Sequence, residues 1–574
     1  MVAIVLMNKN LRLSSFRFRQ SHLALMVSSL VGLYGLYVIA TTLLDQFQIY
    51  RLHFLNSFII DIHLLLGLGF VYLSILLLRR KRNAFYLALI AFAFLLGEGT
   101  NELFNHLHLR GITVIILIRY IIMPLAVMTA LALAKDEFKV KSDQAAFRSS
   151  IKLAVIVLVI TLGYGVGGFM LMDKSDFHQE IGFASALHHT VDQFDLTTNT
   201  PLHPYTRRAR LFMDSLSFVS VAAIIYLVIS LFQPVRLRLI DQSQEREKVK
   251  ALMEKYTAPS EDFFKIWPHD KHFFFNDKQD AALAYRASKG VALILADPVG
   301  NKASFKQLYK QFHEMCWAND WQPALIHIDS KYADFYKDNG YQLQLIGQEA
   351  IVDIDRFVSE TCRNKYFRNI KNRFIKENYS VEILSPPHHK AVLARLKVIS
   401  DEWLQKPGRT ERGFVMGYYS DEYAQLCDIV VVRDAAQTIL AYMNLVPSAG
   451  FNRTEATYDM LRGVKEAPPN INDFLLYQLL HSLHGRGLKK LNMGLAPLVG
   501  LDEADGDNSL ISSVLRFAYV NGDRFYSFSG LHRFKDKYEP AWEDRYLGYK
   551  GGVRGFTKML NALVAAMKPR GLKR

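Results

Sequence analysis

Hydropathy divides this chain near residue 235, and no other feature of the sequence constrains the fold as strongly. Before that point lie apolar runs at about residues 22–44, 59–78, 84–97, 112–134, 151–172 and 216–232, most of them close to the ~20 residues that cross a bilayer. Six spanning helices are expected, the short third run being tilted or partly interfacial. A basic leader (Lys9, Arg12, Arg17, Arg19) precedes the first run, which is long enough to stay in the membrane, so no cleavable signal is expected. Arg79, Arg80, Lys81 and Arg82, the loop 135–148, and Arg236 with Arg238 fall on the leader's side, which puts both termini in the cytoplasm. Arg207, Arg208 and Arg210, at the end of an outward-facing, solvated loop 173–210, run against that rule.

With 574 residues, 50% of them hydrophobic, and a net charge of +15, the chain is too long for one ordinary domain and suits anionic partners: lipid headgroups, RNA, or positive-inside loops. Cys316, Cys362 and Cys427 form no CxxC pair, so neither a disulfide framework nor a zinc site is expected. His178, His188, His189 and His203 match no compact metal spacing. There is no P-loop, HExxH or Ser-His-Asp order, and the lone GRG at residues 485–487 is too short to cradle a pyrophosphate, which argues against acetyl-CoA. No metal and no cofactor is expected. Inside the fourth run Arg119 needs a partner, with Glu98 and Glu102 as candidates and a lipid phosphate as the alternative. Gly163, Gly165, Gly167 and Gly168 suit close helix packing.

From about residue 241 the pattern becomes α/β. A charged helical linker leads into strands at KHFFF, GVALILADPVG, QPALIHI and YQLQLIGQEAIVDI, with a helix at SFKQLYKQFHEMCWAND. A second round follows, with strands at SVEIL, DIVVVRD, TILAYMNLVPS, RTEATYDML and KKLNMGL and helices near 390–404 and 473–483. The two rounds read as an imperfect duplication. The expected domains are residues 1–235 in the membrane, 236–260 as linker, 261–355 as a first subdomain and 356–574 as a second.

The closing block GDRFYSFSGLHRFKDKYEPAWEDRYLGY, residues 522–549, interleaves aromatics with cations, which suits a phosphate beside a stackable surface. It resembles the end of the catalytic domain in the bacterial phosphatidylglycerol lysyltransferase (multiple peptide resistance factor) family. Further family-like signatures run in order: Asp297 to Gly300, Gly347 with Glu349, Ser400 to Leu404, Phe414 with Gly417, Asp459 with Arg462, Ala467 with Pro468, Asp473 to Leu475, and Asn492 to Leu498. Ser527 and Tyr538 depart from the family pattern. The resemblance implies a multi-pass α-helical membrane domain followed by a cytosolic α/β domain of tandem GNAT-like acyltransferase folds.

It also implies a membrane aminoacyltransferase that moves an aminoacyl group, lysyl in the first instance, from aminoacyl-tRNA to the glycerol hydroxyl of phosphatidylglycerol. Ester exchanges for ester, so neither ATP nor metal is demanded. The product would be a cationic lipid giving resistance to cationic antimicrobial peptides at the bacterial inner membrane. Two rival readings stay open: transfer to another lipid or a peptidoglycan precursor, and a non-enzymatic lipid transporter or scaffold. Oligomeric state and a product-flipping role are undecided.

Asp459 and Arg462 are candidates for holding the aminoacyl ammonium and orienting the ester, against a plain salt bridge. Lys535, flanked by Arg533 and Lys537, is the candidate cation for a phosphate or the tetrahedral intermediate, against a solvated basic strand. Asn492 and Gly494 offer an amide and a backbone N–H, against a simple turn. The basic stretch CRNKYFRNIKNRFIKE, with Arg368 at its centre, reads as a helix that tracks RNA, lies on anionic lipid, or is merely exposed. Glu349 and Asp401 are read as structural, and Arg545 with Trp542 as locking the final turn.

Overall fold

The computed structural model describes residues 22–50, 62–106, 117–141, 144–172, 174–192, 202, 204–230, 242–406, 409–497 and 528–569. The basic leader, Arg236, Arg238, His203 and residues 522–527 of the closing block lie outside them, as do the side chains of Glu98, Glu102 and Arg119. Two compact units are present, one spanning residues 17–235 and the other formed mainly by residues 236–574.

The first unit is helical: α1 (His22–Tyr50), α2 (Ile62–Leu78), α3 (Arg82–His106), a π turn (Leu117–Ile122) running into α4 (Met123–Leu133), α5 (Gln144–Met170), α6 (Phe183–Asp192) and α7 (Arg207–Ser230). Helix α6 corrects the expectation of a plain solvated loop there. Among the described residues one helical segment, Leu23–Thr41, is long and apolar enough to cross a membrane, and Leu66–Leu78, Arg82–Gly97, Met123–Leu133 and Val155–Met170 are shorter apolar helices. Six full-length spans are therefore not what these residues display. The fourth run changes helix type at Met123, and α7 begins with three arginines in four residues. Glycines set the close approach of α1 to α2: a Cβ on Gly35 would meet the Gly67 carbonyl oxygen at 2.7 Å. Of the expected packing glycines, Gly165 and Gly168 face Thr190 and Phe212, while Gly163 and Gly167 meet nothing within 4 Å.

In the second unit α8 (Ser243–Tyr256) precedes a sheet of β1 (His272–Phe275), β2 (Ala281–Ser288), β3 (Val291–Leu295), β4 (Val299–Gly300), β5 (Gln322–Asp329), β6 (Gln342–Asp353), β7 (Ser380–Leu384), β8 (Asp428–Arg433), β9 (Ile439–Leu445), β10 (Glu455–Gly463), β11 (Lys490–Pro497) and β12 (Ala541–Tyr549). Its order is β1-β2-β3-β5-β12-β6-β11-β10-β9-β8-β7, with β4 on β2. The expected duplication is visible in the connections. Each half has one parallel pair, β3 with β5 and β10 with β11, bridged by α9 (Phe305–Ala318) in the first half and a second crossover helix, Ile471–Gly485, in the other.

The expected boundary at residue 355 does not describe the sheet. Strand β12 returns to lie between β5 and β6, and the C-terminal helix Gly552–Ala566 packs on β2 and β3. The end of the chain thus closes the first half of the sheet. Alternating side chains divide the second half into two cores: Ile429, Val431, Tyr442 and Met460 face one side, and Val430, Val432, Met443 and Ala456 the other.

Candidate active site at a split between parallel strands

Strands β10 and β11 pair in parallel only at Glu455–Lys490, Ala456–Leu491 and Thr457–Asn492. The Thr457 hydroxyl donates to the Asn492 carbonyl at 2.9 Å as a last link. Beyond it β10 follows β9, with a register shift between Tyr458 and Leu461, and β11 follows β6, with a shift between Asn492 and Leu495. Two irregular strands diverging this way leave backbone groups that side chains must satisfy.

On the β11 wall, Asn492 Oδ1 accepts from the Gly494 N–H at 2.7 Å, and Gly494 takes φ +77°, a conformation that costs glycine nothing. Lys535 Nζ donates to the Gly494 carbonyl at 2.7 Å and the Leu495 carbonyl at 3.0 Å. Asn492, Gly494 and Lys535, expected separately, are thus one contiguous group. Lys535 is 3% exposed, and burial lowers its pKa to about 7, with Glu349 pulling the other way.

The β10 wall is built differently. Asn444 plugs the bulge, its Oδ1 accepting from the Met460 N–H at 2.8 Å and its Nδ2 donating to Asp459 at 2.6 Å. Asp459 also accepts from the Tyr423 hydroxyl at 3.0 Å and the Gly417 N–H at 2.8 Å. Burial raises its pKa, and these three donors hold it back. Arg462 donates twice to Glu411, at 2.7 and 2.8 Å, and lies 4.6 Å over the Trp403 ring. Asp459 and Arg462 therefore do not make the simple salt bridge with each other. Both tie the segment from Glu411 to Gly417 down onto β10. Glu411, Tyr423 and Asn444 escaped the sequence reading. Glu411 sits in a short charged loop, RTERG, with no periodicity to mark it.

The basic block differs from the expected strand. Residues Phe528–Asp536 form a helix, so Arg533, Lys535 and Lys537 do not share a face. Arg533 is exposed. Lys537 lies past the helix end, bonded to Asp473 and, at 2.9 Å, to the Tyr366 hydroxyl, so its ammonium has internal partners instead of facing a substrate. Phe534 and Tyr538 beside Lys535 pack in the core opposite to the one holding Tyr423 and Met460. Arg368 stands on an exposed helix face.

Next to Asn492 opens a cavity of about 230 Å³ whose charged lining includes Glu261, Asp297, Asp329, Glu543 and Arg545. Burial raises Asp297 to about 6, against hydrogen bonds from the Tyr336 hydroxyl at 2.6 Å and the Asp329 N–H at 3.0 Å. Arg545, read as a turn lock, is instead a buried cation of this region, pairing with Glu349 and, at 3.0 Å, with Glu543. Trp542 stacks on His532. His327 Nδ1 and Nε2 lie 3.7 Å from Glu261 and Glu349 respectively. Burial, then the charge of Glu349, push Glu261 up, while His327 and Arg545 outweigh the burial of Glu349 and hold it down. Glu261, His327 and Glu349 offer metal-type donors, but the two imidazole nitrogens address different carboxylates and Arg545 already neutralises Glu349.

The family pattern described as "Phosphatidylglycerol lysyltransferase, C-terminal" matches residues 250–549. A phosphatidylglycerol lysyltransferase of Staphylococcus epidermidis is 30% identical over 305 residues, covering 52% of this chain and 35% of that one. One from Bacillus subtilis strain 168 is 32% identical over 282 residues, covering 49% and 32%. The chain thus spans about a third of the length of these relatives. Among solved structures, L-PGS from Bacillus licheniformis is similar at 30% identity and TM-score 0.48, over 55% of this chain and 95% of that one. The C-terminal domain of a putative lysylphosphatidylglycerol synthetase from Agrobacterium fabrum is similar at 25% identity and TM-score 0.49, over 58% and 100%. Since the matched pattern runs through half of the chain and takes in both walls of the split, this protein belongs to the phosphatidylglycerol lysyltransferase C-terminal family.

Proposed function

We propose that this chain is an integral membrane aminoacyltransferase that moves a lysyl group from aminoacyl-tRNA to the glycerol hydroxyl of phosphatidylglycerol. The observation that carries this reading is the buried Lys535, its Nζ held on the Gly494 and Leu495 carbonyls of a strand bulge inside a region that matches a lysyltransferase family; burial there lowers its pKa to about 7. A group so poised exchanges protons at neutral pH. As the glycerol oxygen attacks the ester carbonyl, its proton passes to Lys535 Nζ. The tetrahedral intermediate then collapses, the terminal ribose oxygen leaves, and the proton follows it. Asn492 and the bulge at Gly494 fix the amine's position, and Asp459 with Arg462 hold the opposite wall. The cavity beside Asn492 carries more carboxylates (Glu261, Asp262, Asp297, Asp329, Glu455, Glu543) than cations (Lys331, Lys490, Arg545), a balance that suits the ammonium groups of a lysyl moiety.

Membrane placement is part of the proposal. The first unit leaves many large apolar side chains facing outward, among them Leu33, Ile90, Phe94, Leu133 and Ile160, each more than 60% exposed, a pattern that suits lipid. We place the unit in the bacterial inner membrane as a multi-pass domain, with the catalytic unit in the cytoplasm where charged tRNA is found. The product carries added positive charge and lowers the surface's attraction for cationic peptides.

The test is lipid analysis of cells expressing the chain and fed separately with labelled lysine, alanine, arginine and ornithine. A lysine-labelled phosphatidylglycerol derivative that disappears in Lys535→Met is expected. Membrane-inserted protein with no aminoacylated lipid would overturn the acceptor.

A further inference from the structure

Residues 361–376 contain no acidic side chain. Within them α10 (Lys365–Lys376) starts at Asn364, whose side chain accepts from the Phe367 N–H at 2.9 Å. Its apolar stripe, Phe367, Ile370 and Phe374, is buried, with Phe374 stacked on Phe474 at 4.7 Å and Phe367 edge-on to Phe357 at 5.1 Å. The helix is therefore a fixed rod, about 18 Å long at 1.5 Å per residue.

Outward it presents Lys365, Arg368, Lys371 and Lys376, with Arg363 on the turn before it, all exposed. Among the described residues none of these five has a carboxylate within 4.0 Å, whereas Arg373 on the helix flank donates to the Pro469 carbonyl at 2.6 Å and faces Glu377 at 3.8 Å. Lys365, Arg368 and Lys371 stand three apart, neighbours on a helix surface, and Asn369 and Asn372, each next in sequence to one of these cations, are exposed as well. Cations and amides without an acid match phosphodiester oxygens.

The same face does not match the interior edge of a bilayer. A helix lying in a membrane sinks its apolar stripe among the acyl chains, and here that stripe is consumed by the protein core. On the outer face Ile375 is the large apolar side chain left exposed.

We propose that the outer face of α10 is a docking rail for the phosphate backbone of folded RNA. It rests on the reading of the donor as aminoacyl-tRNA, and fixes where the body of that donor lies. Full-length protein in nanodiscs, titrated with labelled deacylated tRNA between 50 and 200 mM salt, tests it. For Lys365→Gln/Arg368→Gln/Lys371→Gln we expect binding weaker by about tenfold or more, with the slope of log K against log salt reduced by about 2 to 3, since each phosphate contact contributes roughly 0.7–0.9. Lys365→Arg/Lys371→Arg should restore both. Neutralising Lys302, Lys306 and Lys310, exposed cations on or beside α9, makes the same charge change elsewhere and should leave the slope near normal. Equal effects of the two triple variants would overturn the rail in favour of net charge alone. An unchanged tRNA affinity, with transfer lost only in nanodiscs rich in phosphatidylglycerol, would overturn it in favour of a bilayer contact. Lysine transfer by the wild-type protein in the same nanodiscs reports on the proposed function separately: transfer intact with the rail variant binding tRNA normally sinks the rail alone.

Discussion

Arg462 and Glu411 meet through both terminal guanidinium nitrogens and both carboxylate oxygens, at 2.7 and 2.8 Å, with their side chains 5% and 12% exposed. They lie 51 residues apart in sequence, so this pair is a tertiary bond that fastens a loop to the wall of the strand split. Because the pair is mostly dry, losing one partner strands a charge. Glu411→Ala should cost about 3–5 kcal/mol, seen as earlier thermal unfolding of the C-terminal unit, and should lower transfer along with Arg462→Ala. Equal stability of Glu411→Ala and wild type would remove the clasp from the account.

Asp459 is a pure acceptor for three donors, and Asp459→Asn turns one oxygen into a donor. Facing the Gly417 N–H it would leave that group unsatisfied, at a cost of about 1–3 kcal/mol. Lipid product in cells should fall sharply while the protein remains in the membrane. Near-normal product would remove Asp459 from the site.

Gly417 has no room for a side chain. A Cβ there would lie 2.3 Å from the Tyr423 ring and 2.6 Å from Asp459 Oδ2. Gly417→Ala should destabilise by about 1–3 kcal/mol and weaken transfer together with stability, as measured by thermal unfolding and product yield.

Lys535 gives a pH dependence of defined sign. Its folded pKa, about 7, lies below the ordinary 10.5, so between those values the unfolded chain holds a proton that the folded chain has lost. Stability should therefore rise with pH across that window, and Lys535→Met should flatten the rise. If the neutral amine takes the hydroxyl proton, single-turnover transfer should climb through pH 7. Lys535→Met should lose about 100- to 10,000-fold. A rate that falls through pH 7 would assign the work to the ammonium form.

Much of this was legible in the amino acids. Long apolar runs marked the helices of the first unit, and short apolar runs bounded by polar residues marked strands such as Asp428–Arg433, whose side chains are buried on both faces of the sheet. The ordered signatures from Asp297 to the closing block pointed to the family that the matched region 250–549 then showed. The helix at Lys365–Lys376 was equally plain as a helix, but its cations read as distributed around it, and only the burial of Phe367, Ile370 and Phe374 turned most of them outward.

What the sequence could not supply was anything set by chain return. Nothing local says that Ala541–Tyr549 slots between β5 and β6, because hydrogen bonding to a sheet edge is indifferent to sequence distance. The closing basic block read as a strand, yet it winds into a helix that buries Lys535 against two carbonyls freed by a bulge more than 35 residues away. That burial lowers the amine's pKa. The residue type was written in the sequence, but its protonation, its partners and the loop clasp at Glu411 were decided only when distant backbone groups needed satisfying in a dry interior.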